Sequence, residues 1–68
     1  MNIGESIKRA REKKGITQKE LAEIIYVDPA ALCRWEKGTR RVSVETLCNI
    51  AKALDISYYE LVGKKVEE

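Results

Sequence analysis

A chain of 68 residues is one domain, and a fold of this size buries only about 60% of its unfolded surface, which leaves little material for a deep catalytic cleft. Hydrophobic residues at 44% and charged residues at 35% exclude a disordered chain, and the longest apolar run, Ile24 to Val27, is far short of the roughly 18 residues a membrane span requires. The charge is uneven: residues 1–41 hold ten Lys/Arg against six Asp/Glu, net +4, and residues 42–68 hold three against five, net −2. A basic first part is suited to face a polyanion, although a solvated charged surface would give the same count.

The apolar spacing is helical throughout, with no useful stretch at a strand period. A first helix is expected from about Ile3 to Lys14. Ile3, Ile7 and Ala10 share one stripe, Asn2 and Glu5 form a cap pair, and Gly15 is the left-handed stop. The second helix starts at Thr17, where Thr17-Gln18-Lys19-Glu20 forms a capping box, and Leu21, Ala22 and Ile25 face inward. The third is opened by Asp28 as cap and Pro29 at the first helical position, where a lost N–H costs nothing, and Gly38 closes it. With Leu32 and Trp35 turned inward, a period of 3.6 places Ala30, Cys33, Arg34 and Lys37 on the outward side. That side is slim at its N-terminal end and cationic at its tips. The fourth helix runs from about Val44 to Leu54 behind Ser43, with Leu47, Cys48, Ile50, Ala51 and Leu54 as a broad apolar face. The fifth is one or two turns long. Ser57-Tyr58-Tyr59-Glu60 is a second capping box, Gly63 ends the helix, and the domain therefore spans 1–63, with 64–68 a short charged tail expected to fray.

Two cysteines and no histidine leave no ordinary zinc site and no His-activated thiol, so no metal, cofactor or catalytic residue is expected. The cysteines read as free thiols rather than a disulfide. The N-terminus enters a charged helical pattern directly, without a signal peptide, which makes the cytoplasm the expected compartment.

The second and third helices are joined by only a few residues, which forces a sharp crossing of the helix-turn-helix kind. Here the chain resembles the phage-repressor and Cro-like (XRE-type) helix-turn-helix domains. "GITQKELAEII" followed by "VDPAALCRWEKG" fits their second and third helices, and "VETLCNIAKALDIS" followed by "YYELV" fits their fourth and fifth. The resemblance covers roughly residues 3 to 62, with the Gln18, Glu20-Leu21-Ala22, Trp35-Glu36 and Gly38 spacing as its most specific part. It implies an all-α, five-helix lambda-repressor-like fold and a sequence-specific, double-stranded-DNA-binding transcriptional regulator, a repressor in expectation. It also implies a homodimer on a pseudo-palindromic operator, with the third helix in the major groove.

The resemblance puts Pro29, Ala30, Cys33 and Arg34 at base-facing positions. Arg34 is the chief candidate reader, since arginine bonds guanine O6 and N7 together; a phosphate clamp or a solvated charge are its other roles. Ala30 suits a thymine methyl or simply favours helix, and Cys33 is a small packing residue near the groove. Gln18, at the start of the second helix where free N–H groups and the dipole favour an anion, matches a phosphate-bonding glutamine of the family, with a surface helix former as its other role, and Lys19 could assist from the same turn. Lys37, Thr39, Arg40 and Arg41 form a basic cluster that would hold the DNA backbone without reading it, with a solvated charge run as the other reading. The family also implies a partly buried ion pair of Arg11 with Glu36, and Trp35 belongs to the core. The candidate dimer surface is Val42, Val44, Tyr59 and Leu61, of which Val44 and Leu61 could equally be core.

Three departures stand out. Tyr26 occupies the turn position where the family often has glycine, so either the turn is remodelled or tyrosine takes a costly positive φ. Val42 replaces a proline that often precedes the fourth helix. The base-reading glutamines of phage relatives are lacking, which shifts specificity toward Arg34, DNA shape and the loop. A protein-interaction adaptor or antitoxin, whose fold mainly holds a protein partner, is the alternative.

Overall fold

The computed structural model describes residues 2–62, and among them there are five helices and no strand: α1 (Ile3–Lys14), α2 (Gln18–Ile25), α3 (Pro29–Lys37), α4 (Val44–Leu54) and α5 (Tyr58–Val62). Gly63 and the 64–68 tail lie outside the described residues. Each helix start follows from its cap. Asn2 Oδ1 accepts from Glu5 N at 2.8 Å, and Ser43 Oγ accepts from Thr46 N at 3.1 Å. At Thr17 both halves of the capping box form: Glu20 N donates to Thr17 Oγ1 (3.0 Å) and Thr17 N donates to Glu20 Oε1 (2.8 Å). At α5 the box is altered, because Ser57 N reaches Glu60 Oε1 at 3.2 Å while the Ser57 hydroxyl accepts from Tyr59 N rather than Glu60 N.

Four helices end in one way. The residue just past the helix turns left-handed, and the next residue sends its N–H back to a carbonyl five positions earlier. The left-handed residues are Gly15 (φ 80°), Tyr26 (φ 61°), Gly38 (φ 80°) and Asp55 (φ 58°). The return bonds are Ile16 N to Arg11 O, Val27 N to Ala22 O, Thr39 N to Arg34 O and Ile56 N to Ala51 O. Tyr26 therefore accepts positive φ and the turn is not remodelled. In three of the four cases the residue after the turn is apolar (Ile16, Val27, Ile56) and packs against the core. That burial explains how tyrosine and aspartate are held in a conformation that glycine would take freely.

The helices close around a small core. Ile7 of α1, Leu21 and Ala22 of α2, Leu32 of α3, Leu47, Ile50, Ala51 and Leu54 of α4, and Leu61 of α5 are all buried. Each large aliphatic side chain among them contributes roughly 1.5–3 kcal/mol of burial. α1 packs on α3, α4 and α5, and α2 packs on α3 and α4. Leu61 is 1% exposed, so it is a core residue and not part of a dimer surface: α5 is too short to reach the core with any other large aliphatic at full burial. Val44 (64% exposed) and Tyr59 (50%) face outward, and Val42 and Trp35 are half-buried against the core. No helix among the described residues is long and apolar enough to cross a membrane.

Candidate nucleic-acid interface

α2 and α3 are linked by Tyr26, Val27 and Asp28 alone. Tyr26 closes α2, Val27 anchors the link in the core, and the Asp28 carboxylate accepts from Ala30 N at 2.9 Å to open α3. Leu32, fully buried, fixes which side of α3 faces the protein. The opposite side then carries Pro29, Ala30, Arg34 and Lys37, all exposed, with Cys33 half-buried at its edge. Cys33 and Cys48 are both free. Directly after α3 come Gly38, Thr39, Arg40 and Arg41, also exposed. Arg34, Lys37, Arg40 and Arg41 make no ion pair among the described residues, so their cationic ends are available to an external anion. Thr39 is engaged at the helix end, where its N–H (3.0 Å) and its hydroxyl (3.3 Å) both donate to Arg34 O.

Behind this face lies the Arg11–Glu36 pair. Arg11 Nε donates to Glu36 Oε2 at 2.7 Å and Nη2 to Glu36 Oε1 at 3.1 Å, a two-point contact between buried groups of α1 and α3. Arg11 Nη1 also donates to Ile16 O at 2.9 Å, which ties down the turn after α1. The bond to the Glu36 carboxylate, outweighing burial, holds the Arg11 guanidinium above its ordinary pKa. Gln18 joins the same group: its Nε2 donates to Glu36 Oε1 at 2.8 Å. The first residue of α2 is thus bonded to the last turn of α3, a link that no local sequence pattern announces. No buried side-chain polar atom among the described residues lacks a partner.

Sequence reasoning also passed over Gly4 and Ser6, which are buried in α1, and the left-handed Asp55. For Gly4 a signal was present, since glycine is a poor helix former and its place inside α1 calls for a reason in packing.

A short helix held by a sharp turn, with small residues and unpaired cations outward and its inner side locked to the helices behind it, is the arrangement of a helix-turn-helix domain. The chain belongs to the Helix-turn-helix family, whose pattern it matches over residues 7–61. It is similar to the restriction-modification controller protein C.AhdI from Aeromonas hydrophila, at 34% identity and a TM-score of 0.83, covering 87% of this chain and 89% of that one. It is similar to the P22 c2 repressor, solved in complex with a synthetic operator, at 31% identity and a TM-score of 0.82, covering 91% and 94%. Among curated proteins it is 37% identical over 62 residues to Antitoxin PezA of Streptococcus pneumoniae, covering 91% of this chain and 39% of that protein. The chain spans half or less of the length of several curated relatives it matches.

Proposed function

We propose that the protein binds double-stranded DNA sequence-specifically and regulates transcription as a repressor, with α3 in the major groove. One observation carries this: α3 presents small residues and unpaired cations outward on a frame that superposes on a repressor solved with its operator. Pro29 and Ala30 let the start of α3 come close to base edges, with Cys33 beside them, and Arg34 bonds guanine O6 and N7 as a two-point reader. Lys37, Arg40 and Arg41 hold phosphates on one side, with Thr39 beside them, and Lys19 and the N-terminus of α2 on the other. Gln18 keeps one amide hydrogen beyond its bond to Glu36, and that hydrogen serves a phosphate.

One such helix meets only a few base pairs, so discrimination calls for a homodimer on a pseudo-palindrome with half-sites one helical turn apart. Val44 and Tyr59, the exposed apolar residues of α4 and α5, are the proposed contact, flanked by Val42. The cytoplasm is the proposed compartment. A second function, holding a protein partner, is supported by the similarity to Antitoxin PezA and to Multiprotein-bridging factor 1 of Debaryomyces hansenii, in each case over less than half of that protein.

Selection of sites from a random duplex pool at near-physiological salt, with wild type and Arg34→Ala in parallel, tests both. Specific recognition predicts a two-fold symmetric site for wild type. For the variant it predicts a loss of about 1–3 kcal/mol with relaxed preference at one guanine per half-site. Weak, uniform binding by wild type would refute specific recognition and turn the search to a protein partner.

A further inference from the structure

We infer that Gly4 is a positioning residue for DNA recognition, setting how deeply the last turn of α3 seats on α1; the inference rests on the DNA-binding function proposed above. Gly4 is buried in the first turn of α1. A Cβ built on it would lie 2.5 Å from the Trp35 carbonyl oxygen and 2.6 Å from that of Glu36. Both obstacles are backbone, so no rotamer change relieves them. Either α1 or the end of α3 must move.

The moving part is defined by the bonds around it. Trp35 O accepts from Gly38 N at 3.1 Å, so a displaced last turn carries Gly38 and the chain behind it. Gly4, Trp35, Gly38, Arg40 and Arg41 line one surface concavity, which places the glycine directly beside the basic segment. Gly4 and Arg11 lie seven residues apart on one side of α1 and meet the same turn of α3. Arg11 hooks the Glu36 side chain, while Gly4 sets the distance of closest approach for the backbone.

The distance between the reading end of α3 and the phosphate-holding segment after it then depends on Gly4. Base contacts and phosphate contacts must be met together for specific binding, whereas non-specific binding needs only the cations. A methyl group at position 4 therefore acts on specificity without removing a single charge.

The test measures affinity for the site enriched by wild type and for a scrambled duplex, using wild type, Gly4→Ala, and Ala53→Gly as a control that weakens α4 away from this contact. Gly4→Ala is also placed in a Tyr26→Gly background to support folding. The expected result is a drop of roughly tenfold or more in the specific-to-scrambled ratio of folded Gly4→Ala, with scrambled affinity kept within about threefold and the control ratio unchanged. An unchanged ratio in folded Gly4→Ala overturns the inference alone. Failure of Gly4→Ala to fold in either background overturns it too, since the contact would then define the fold rather than tune the reading helix. A wild type that enriches no site removes the recognition function and this inference together.

Discussion

Tyr26 holds φ 61° and ψ 47° while 94% exposed, so its side chain gains almost nothing from the fold that could offset the strain. A left-handed conformation costs an L-residue roughly 1–2 kcal/mol, and glycine returns about half of that advantage through its freer unfolded state. Tyr26→Gly should therefore stabilise the domain by about 0.5–1 kcal/mol, a rise of a few degrees in Tm for a chain of this size. Thermal unfolding followed by circular dichroism measures it. A lower Tm would mean that the tyrosine ring makes a stabilising contact that its exposure conceals. Asp55, at φ 58°, is the milder case, because aspartate tolerates this region better than an aromatic residue does.

At the scale of elements, three helices meet on one carboxylate. Glu36 receives Arg11 from α1 and Gln18 from the start of α2, and its own place is in the last turn of α3. The Glu36 side chain is 2% exposed, so removing the guanidinium leaves a charge buried with only an amide beside it. Arg11→Met should cost about 3–5 kcal/mol, and Arg11→Met with Glu36→Leu should cost clearly less than the two single changes added together. Urea unfolding of the four proteins decides the matter, and a loss under about 1 kcal/mol for Arg11→Met would show that the pair is a bystander. Because the bond to Glu36 holds the Arg11 guanidinium above its ordinary pKa, the part of the stability tied to its charge is fully present through neutral pH and is lost only in strong alkali, so Arg11 gives no pH dependence near neutrality. The contrast between caps and this cluster also shows what a sequence can disclose. Thr17 with Glu20, Asp28 with Pro29, and the two stop glycines were legible because each bond spans two to five residues. The Gln18–Glu36 bond and the Gly4 contact join positions far apart in the chain, and no local pattern encodes them. Leu61 was ambiguous for a related reason: on a five-residue helix, one apolar position suits a core and an interface alike.

For the molecule as a whole, net charge of +2 hides the feature that matters to a polyanion, which is where the unpaired cations stand. Arg11 is consumed inside the fold, while Lys19, Lys37, Arg40 and Arg41 are exposed around the outward side of α3 and the start of α2. If each neutralises one phosphate, two protomers on a symmetric site release about eight counterions, and log K should fall against log salt with a slope of roughly −7. A single protomer on the same duplex would give about half that slope. Arg41→Ala should make the dimer slope shallower by about 2, one unit per protomer, and should weaken every sequence alike. Arg34→Ala, if it reads a base, should instead flatten the preference among sequences. Titrations at several salt concentrations, on the selected site and on a scrambled one, separate these effects. A slope near −1 would mean that the cations around α3 do not face DNA at all. A monomer-sized slope on a symmetric site would leave the reading face in place and remove the proposed contact of Val44 and Tyr59.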